Sequence, residues 1–218
     1  MSRSLFPPTM HWMLPPWLRR FFPSRAAGLN RIAGLYETKF AIARGRSYDW
    51  GLRPPRFDPQ PVRYATAHTI DAVRRHLSRA LGHLSEDVVR TQRFGLLSLV
   101  RDVLETEFRA PLAYTLGFVH QDGQRLCHTS IEGLEQMLRT GIAPGARLSL
   151  HAWLTLPSHE IIDATFWAVL PGFASIEERQ ARGLFLHPDQ MLGRSYHPQW
   201  VGEGFARKVG ILKEYEGW

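Results

Sequence analysis

Apolar positions in this chain recur first every three to four residues and then every second residue, and the switch between the two periods lays out its elements. From Thr69, placed to cap, Ile70, Val73, Leu77, Leu81 and Leu84 fall on one helical face, with Asp71 in the first turn. Ser85 caps a second helix whose positive end carries Glu86 and Asp87. Val88, Leu96, Leu97, Val100, Val103 and Leu104 give that helix a broad apolar surface, which predicts the central buried helix. After Pro111 the period becomes two. Residues 112–119 read as a strand, Asp122-Gly123 as a hairpin turn, and residues 124–128 as the returning strand. Thr129 and Glu132 form a capping box for a short helix carrying Ile131, Leu134, Met137 and Leu138, which Gly141 ends. The cleanest alternation follows: residues 148–156, a turn at 157–159, and a returning strand over 160–166. Ser175 and Glu178 make a second capping box, and Pro171, Pro188 and Pro198 predict that most of the remainder is loop.

Residues 1–61 fit neither period. Proline pairs at 7–8, 15–16 and 54–55 preclude long regular elements, leaving room for a short helix around 26–35. Trp12, Trp17, Phe21, Phe22, Tyr48 and Trp50 are too many large aromatics for a disordered tail. The expected organisation is a basic, aromatic and Pro-rich arm over 1–61. Residues 62–218 then form one α+β domain, with helices packed on a small antiparallel sheet.

Composition narrows the function classes. At 218 residues and 44 % hydrophobic, the chain is long enough to bury a core without disulfides, and its single cysteine, Cys127, excludes a disulfide scaffold or a multi-cysteine zinc site within the chain. The net charge of +7 is uneven: residues 1–109 hold 18 Lys+Arg against 9 Asp+Glu, residues 110–218 hold 9 against 11. A basic half suits polyanionic partners, and Arg74, Arg75 and Arg79 on one side of the first helix are the candidate nucleic-acid contacts. No run of about 18 apolar residues is present, so no transmembrane segment is expected. The apolar start is broken by prolines and followed, not led, by Arg19 and Arg20, unlike a secretory signal, so a cytoplasmic protein is expected. His120, His128, His151 and His159 are spaced by 8, 23 and 8 residues, which matches no metal-ligand pattern, and Gly202-Glu203-Gly204 lacks the setting of a phosphate loop. Neither a metal nor a cofactor is expected.

Chemistry concentrates in SLHAWLTLPSHEIIDATFW, residues 149–167. Ser149, His151, Trp153 and Thr155 share one strand face. If the three-residue turn leaves Leu156 opposite Glu160, Trp153 pairs with Asp163 and His151 with Thr165. His151 and Asp163 are then diagonal neighbours on one face, within reach of a carboxylate–imidazole hydrogen bond; a slip of one residue would part them. A histidine so oriented is the base half of a nucleophilic triad, and equally it can be a satisfied polar pair.

His-Ala-Trp on one strand and Asp-x-Thr on the next resembles the transglutaminase-like branch of the papain-like cysteine-enzyme superfamily. The resemblance covers about 20 residues closely and about 80 loosely. It implies a papain-like core in which a cysteine attacks an acyl carbon of a protein or peptide substrate, His151 serves as its base and Asp163 orients His151, with Trp153 and Thr165 beside the substrate. The resemblance also places the nucleophile at the start of the helix before the sheet, near Phe94 and Gly95, where this chain has none. Three readings stay open: Cys127 is the nucleophile in a rearranged topology, Cys127 is an ordinary core residue, or the fold persists as a binding scaffold without a nucleophile. The rival from a different class is a non-catalytic, Arg-rich subunit of a nucleoprotein assembly.

Overall fold

A computed structural model describes residues 25–143, 148–191 and 193–212. The chain order is α1 (Arg25–Asp49), α2 (Ala67–Leu81), α3 (Glu86–Phe108), β1 (Ala113–Gln121), β2 (Gln124–Leu126), α4 (Ile131–Thr140), β3 (His151–Thr155), β4 (Ile161–Asp163), α5 (Phe166–Val169), α6 (Ile176–Ala181), β5 (Leu184–Leu186), β6 (Arg194–Val201) and α7 (Gly204–Lys208). The fold is α+β: seven helices, among the described residues, around a curled antiparallel sheet.

Several helix starts follow their side chains. Ser85 accepts from Val88 N, and Ser175 and Glu178 close the expected capping box. Two caps lie one turn or one residue from expectation. Thr66, not Thr69, caps α2, because Thr69 serves as the third helical residue of a box with Thr66; Ser130, not Thr129, caps α4. α3 buries Val89, Phe94, Leu97, Val100, Leu104 and Phe108 on one side only. Leu99 and Val103 are 66 % and 49 % exposed, so the helix lies on the sheet and is not surrounded. The short helix expected at 26–35 is a 25-residue helix ending at Asp49, since no proline falls between Arg25 and Asp49. The expected roles of Trp12, Trp17, Phe21 and Phe22 lie outside the described residues.

β1 organises the sheet. On one side its first half pairs with β3 (Gly117 opposite His151) and its second half with β2 (Val119 opposite Leu126), so β2 ends where β3 begins. On its other side it pairs with β6 from Thr115–Val201 to Gln121–Arg194. β6 occupies a stretch expected to be loop. Pro198 is tolerated within it because it faces Gly117 at the irregularity between Leu116 and Gly117. β4 and β5 continue the sheet beyond β3.

Two apolar layers cover the sheet. Leu116, Ala152, Leu154 and Ile162 pack on one face with Val73, Leu77, Leu97, Leu104 and Leu134 of the helices. On the other, Val119, Trp153, Ile161, Phe166 and Tyr196 pack with Tyr36 and Phe40 of α1 and with Phe57. No helix among the described residues is long and apolar enough to cross a membrane.

Candidate functional site

The β3–β4 register is the one the turn length predicts. Leu154 faces Ile162 and Thr155 faces Ile161, and Leu156 N donates to Glu160 O across the turn, where His159 takes a left-handed backbone with φ 63°. Trp153 and Asp163 consequently share the inner face. His151 Nε2 lies 2.6 Å from Asp163 Oδ2, with both side chains fully buried. The strand leaving Asp163 is shorter than expected: at Phe166 the chain turns into α5, and this bend points the amides of Thr165 and Phe166 at Asp163 Oδ1, at 3.1 and 3.0 Å.

Asp163 therefore accepts four hydrogen bonds, the fourth from Tyr196 Oη at 2.7 Å. Burial pushes its carboxyl pKa up, but the charge and hydrogen bond of His151, then Tyr196 and the Thr165 amide, outweigh this and leave it below the ordinary value. An ionised carboxylate only accepts, so His151 Nε2 carries the proton and donates. Its other nitrogen, Nδ1, is buried and has no hydrogen-bond partner among the described residues. In the neutral ring that atom is the lone-pair nitrogen, as a general base requires.

Around this pair runs a second polar chain. Thr115 Oγ1 donates to Ala113 O at 3.0 Å, so it accepts from Thr155 Oγ1 at 2.9 Å. Thr155 in turn accepts from Tyr36 Oη at 2.7 Å, and Tyr36 from Trp153 Nε1 at 2.9 Å. Trp153 is thereby fixed with its ring centroid 6.1 Å from that of His151. Thr165 holds Asp163 through its backbone, while its hydroxyl is buried without a partner among the described residues.

Cys127 is half-buried, one residue past β2, with φ 56°. The pairings of Leu126 with Val119 and His151 with Gly117 set it on the same side of β1 as His151, across the break between β2 and β3. No hydrogen bond joins the two side chains. Burial pushes the Cys127 thiol up to about 11, against the opposing influence of Arg93 on α3, with Asp163 adding to the rise. Arg93, partly buried with its Nε unpartnered among the described residues, lies well inside α3 next to Phe94 and Gly95, where the resemblance implies a cysteine at a helix start. The nearest hydroxyls on α3 are both engaged: Thr91 bonds back to Asp87 O at 2.8 Å, and Ser98 is held by Glu203.

An open cleft of about 670 Å³ lies between α2, α6 and the free edge of β5, lined in part by Arg74, Glu178, Leu184, Met191 and Arg194. None of Cys127, His151 or Asp163 lines it. Phe166 intervenes: Arg194 stacks on one side of its ring at 3.9 Å, and the His151 ring lies 5.8 Å from it. Arg74, Arg75 and Arg79 are exposed on α2; Arg74 is 3.7 Å from Asp71, and the other two have no acidic partner among the described residues.

Tyr196, Tyr36, Arg93 and Phe166 escaped the sequence reading. Tyr196 sits in the strand that looked like loop and Tyr36 in the helix that looked short, so neither had a periodic context to announce it. Comparison with family models, with curated proteins and with solved structures found no match.

Proposed function

We propose that the chain is a transglutaminase-like protein with a papain-like core, performing cysteine-dependent acyl transfer or amide hydrolysis on a protein or peptide substrate at the break between β2 and β3. The observation that carries this reading is His151, its Nε2 held by a four-fold bonded Asp163 and its Nδ1 left without a partner. A polar pair kept only for structure has no need of a buried orphan nitrogen, which is energetically unfavourable.

In the proposed step Cys127 Sγ attacks the acyl carbon while His151 Nδ1 takes the thiol proton. Asp163 stabilises the imidazolium, which then protonates the leaving group as its bond to the acyl carbon breaks. The resulting thioester passes its acyl group to water or an amine. Burial keeps the resting thiol protonated at neutral pH, so activation depends on His151 as base. Arg93 favours the transient thiolate by its charge.

The test is acetylation by p-nitrophenyl acetate near neutral pH, read by mass spectrometry. One acetyl group is expected on Cys127, absent in Cys127→Ser and formed at least ~10-fold more slowly in His151→Gln. Equal rates in the wild type and His151→Gln would leave a scaffold without catalytic chemistry. The nucleic-acid reading draws less support, since Arg74 is already engaged by Asp71 and, among the described residues, Arg75 and Arg79 alone of the three lack an acidic partner.

A further inference from the structure

Where β1, β2 and β6 run side by side, one sheet face carries a compact group of basic side chains. Pairing sets His120 between Arg125 on β2 and Ser195 on β6, and sets Phe118 beside His197. His197 stacks on Phe118 with ring centroids 4.5 Å apart, and His128 meets the same ring edge-on at 4.6 Å. The Arg125 guanidinium lies 5.9 Å from the Phe118 centroid, and His120 lies 6.2 Å from His197. From α1, Lys39 Nζ reaches His197 Nδ1 at 3.0 Å. All of these groups are partly or fully exposed.

Their hydrogen bonds have a fixed direction. An ammonium only donates, so His197 Nδ1 accepts and Nε2 carries the proton, donating to Ser195 Oγ at 2.9 Å. His197 thus cannot serve as a base for Ser195, and the Ser195 hydroxyl proton is left to point elsewhere. Two N–H groups of Lys39 are likewise uncommitted among the described residues. Among the described residues, no carboxylate pairs with Lys39, His120, Arg125, His128 or His197. Burial, then Lys39, His120, Arg125 and His128 in turn, push the His197 imidazole down to about 4. Burial also lowers the Lys39 ammonium. Each of these influences acts against positive charge, and a bound anion would relieve the charge crowding.

We propose that Lys39, Ser195, His120 and Arg125, held in place by the His197 ring, form an oxyanion site for a single phosphoryl group, as inorganic phosphate or as a small phosphate monoester. These groups gather around the stacked rings of His197 and Phe118 instead of tracking along a groove, which matches one tetrahedral anion and not a polymer. Phe118 is covered by His197 and flanked by Arg125, so it offers no platform for stacked bases. The site is independent of the cysteine chemistry proposed above.

Calorimetry of the full chain with inorganic phosphate and with phenyl phosphate, at ionic strength held constant with chloride, tests the assignment. One-site saturation is expected with a Kd on the order of 1 mM or tighter. Lys39→Met and Arg125→Met should each weaken it at least ~10-fold. In the unaltered protein, NMR titration should show phosphate raising the pKa of His197 from about 4. Tighter binding of phenyl phosphate identifies an ester as the ligand, and equal binding the free ion; either upholds the site. The proposal is overturned by lack of saturation or by equal competition from chloride. It is also overturned by a single-stranded oligonucleotide that binds through Lys39 and Arg125 when phosphate does not.

Discussion

Asp163 joins three parts of the structure through one carboxylate. Its carboxylate closes the bend into α5, anchors Tyr196 and orients His151. An asparagine there keeps an oxygen for the two amides but turns N–H groups toward two other donors, His151 and Tyr196. Asp163→Asn is therefore expected to destabilise the protein by about 3–5 kcal/mol, as when one partner of a buried charged pair is removed, measured by urea denaturation at neutral pH. The pH dependence has a definite sign. The folded-state pKa lies below the ordinary 3.8, so the unfolded chain binds more protons as pH falls toward that value. The stability Asp163 contributes is thus complete above the unfolded pKa and lost as pH falls through the lower folded one. The wild-type urea midpoint should drop as pH falls below about 4, and the drop should be smaller in Asp163→Asn; parallel curves would refute the assignment.

At the scale of elements, β1 is the strand on which the site depends, because it carries β2 and β3 on one side and β6 on the other. Gly117 is where the sides meet. It faces His151 on β3 and Pro198 on β6, and a Cβ there would overlap the His197 carbonyl oxygen and come within 2.9 Å of the Trp153 ring. The first obstacle is backbone and cannot rotate away. Gly117→Ala is expected to cost about 1–3 kcal/mol, read from the denaturation midpoint. It should also slow Cys127 acetylation, since the β1–β3 pairing sets the position of His151.

At the scale of the molecule, residues 52–66 form an extended strap that ties α1 and α2 to the turn between β3 and β4. Gln60 N donates to Pro157 O at 3.0 Å, and the amides of Tyr64 and Ala65 donate to the buried carboxylate of Glu160 at 2.6 and 2.9 Å. Ser158 Oγ donates to the same carboxylate at 2.6 Å, and Arg63 pairs with Asp189 at 2.7 Å. Glu160→Gln retains one accepting oxygen for three donors. Trypsin cleavage after Arg56 and Arg63 under native conditions is expected to accelerate ~10-fold or more while the β1–β3 core stays folded. Unchanged cleavage would show that Glu160 does not secure the strap.

What the sequence by itself determined is local. The Ser85 and Ser175 caps depend on residues within one turn of each other, and the helical face of α2 on a single period. The His151–Asp163 pairing depends on strand alternation and the length of one turn. Other features were decided by tertiary structure: Tyr196 on Asp163, Tyr36 on Trp153, Cys127 across the break from His151, and Lys39 on His197 over 158 residues. These rest on β6 joining β1 and on α1 lying against the sheet. Pro198 disguises β6 as loop until Gly117 supplies the irregular partner it needs, and α1 shows little amphipathic period of its own. A strand or helix of that kind is defined by what it pairs with, and the pairing is a property of the folded whole.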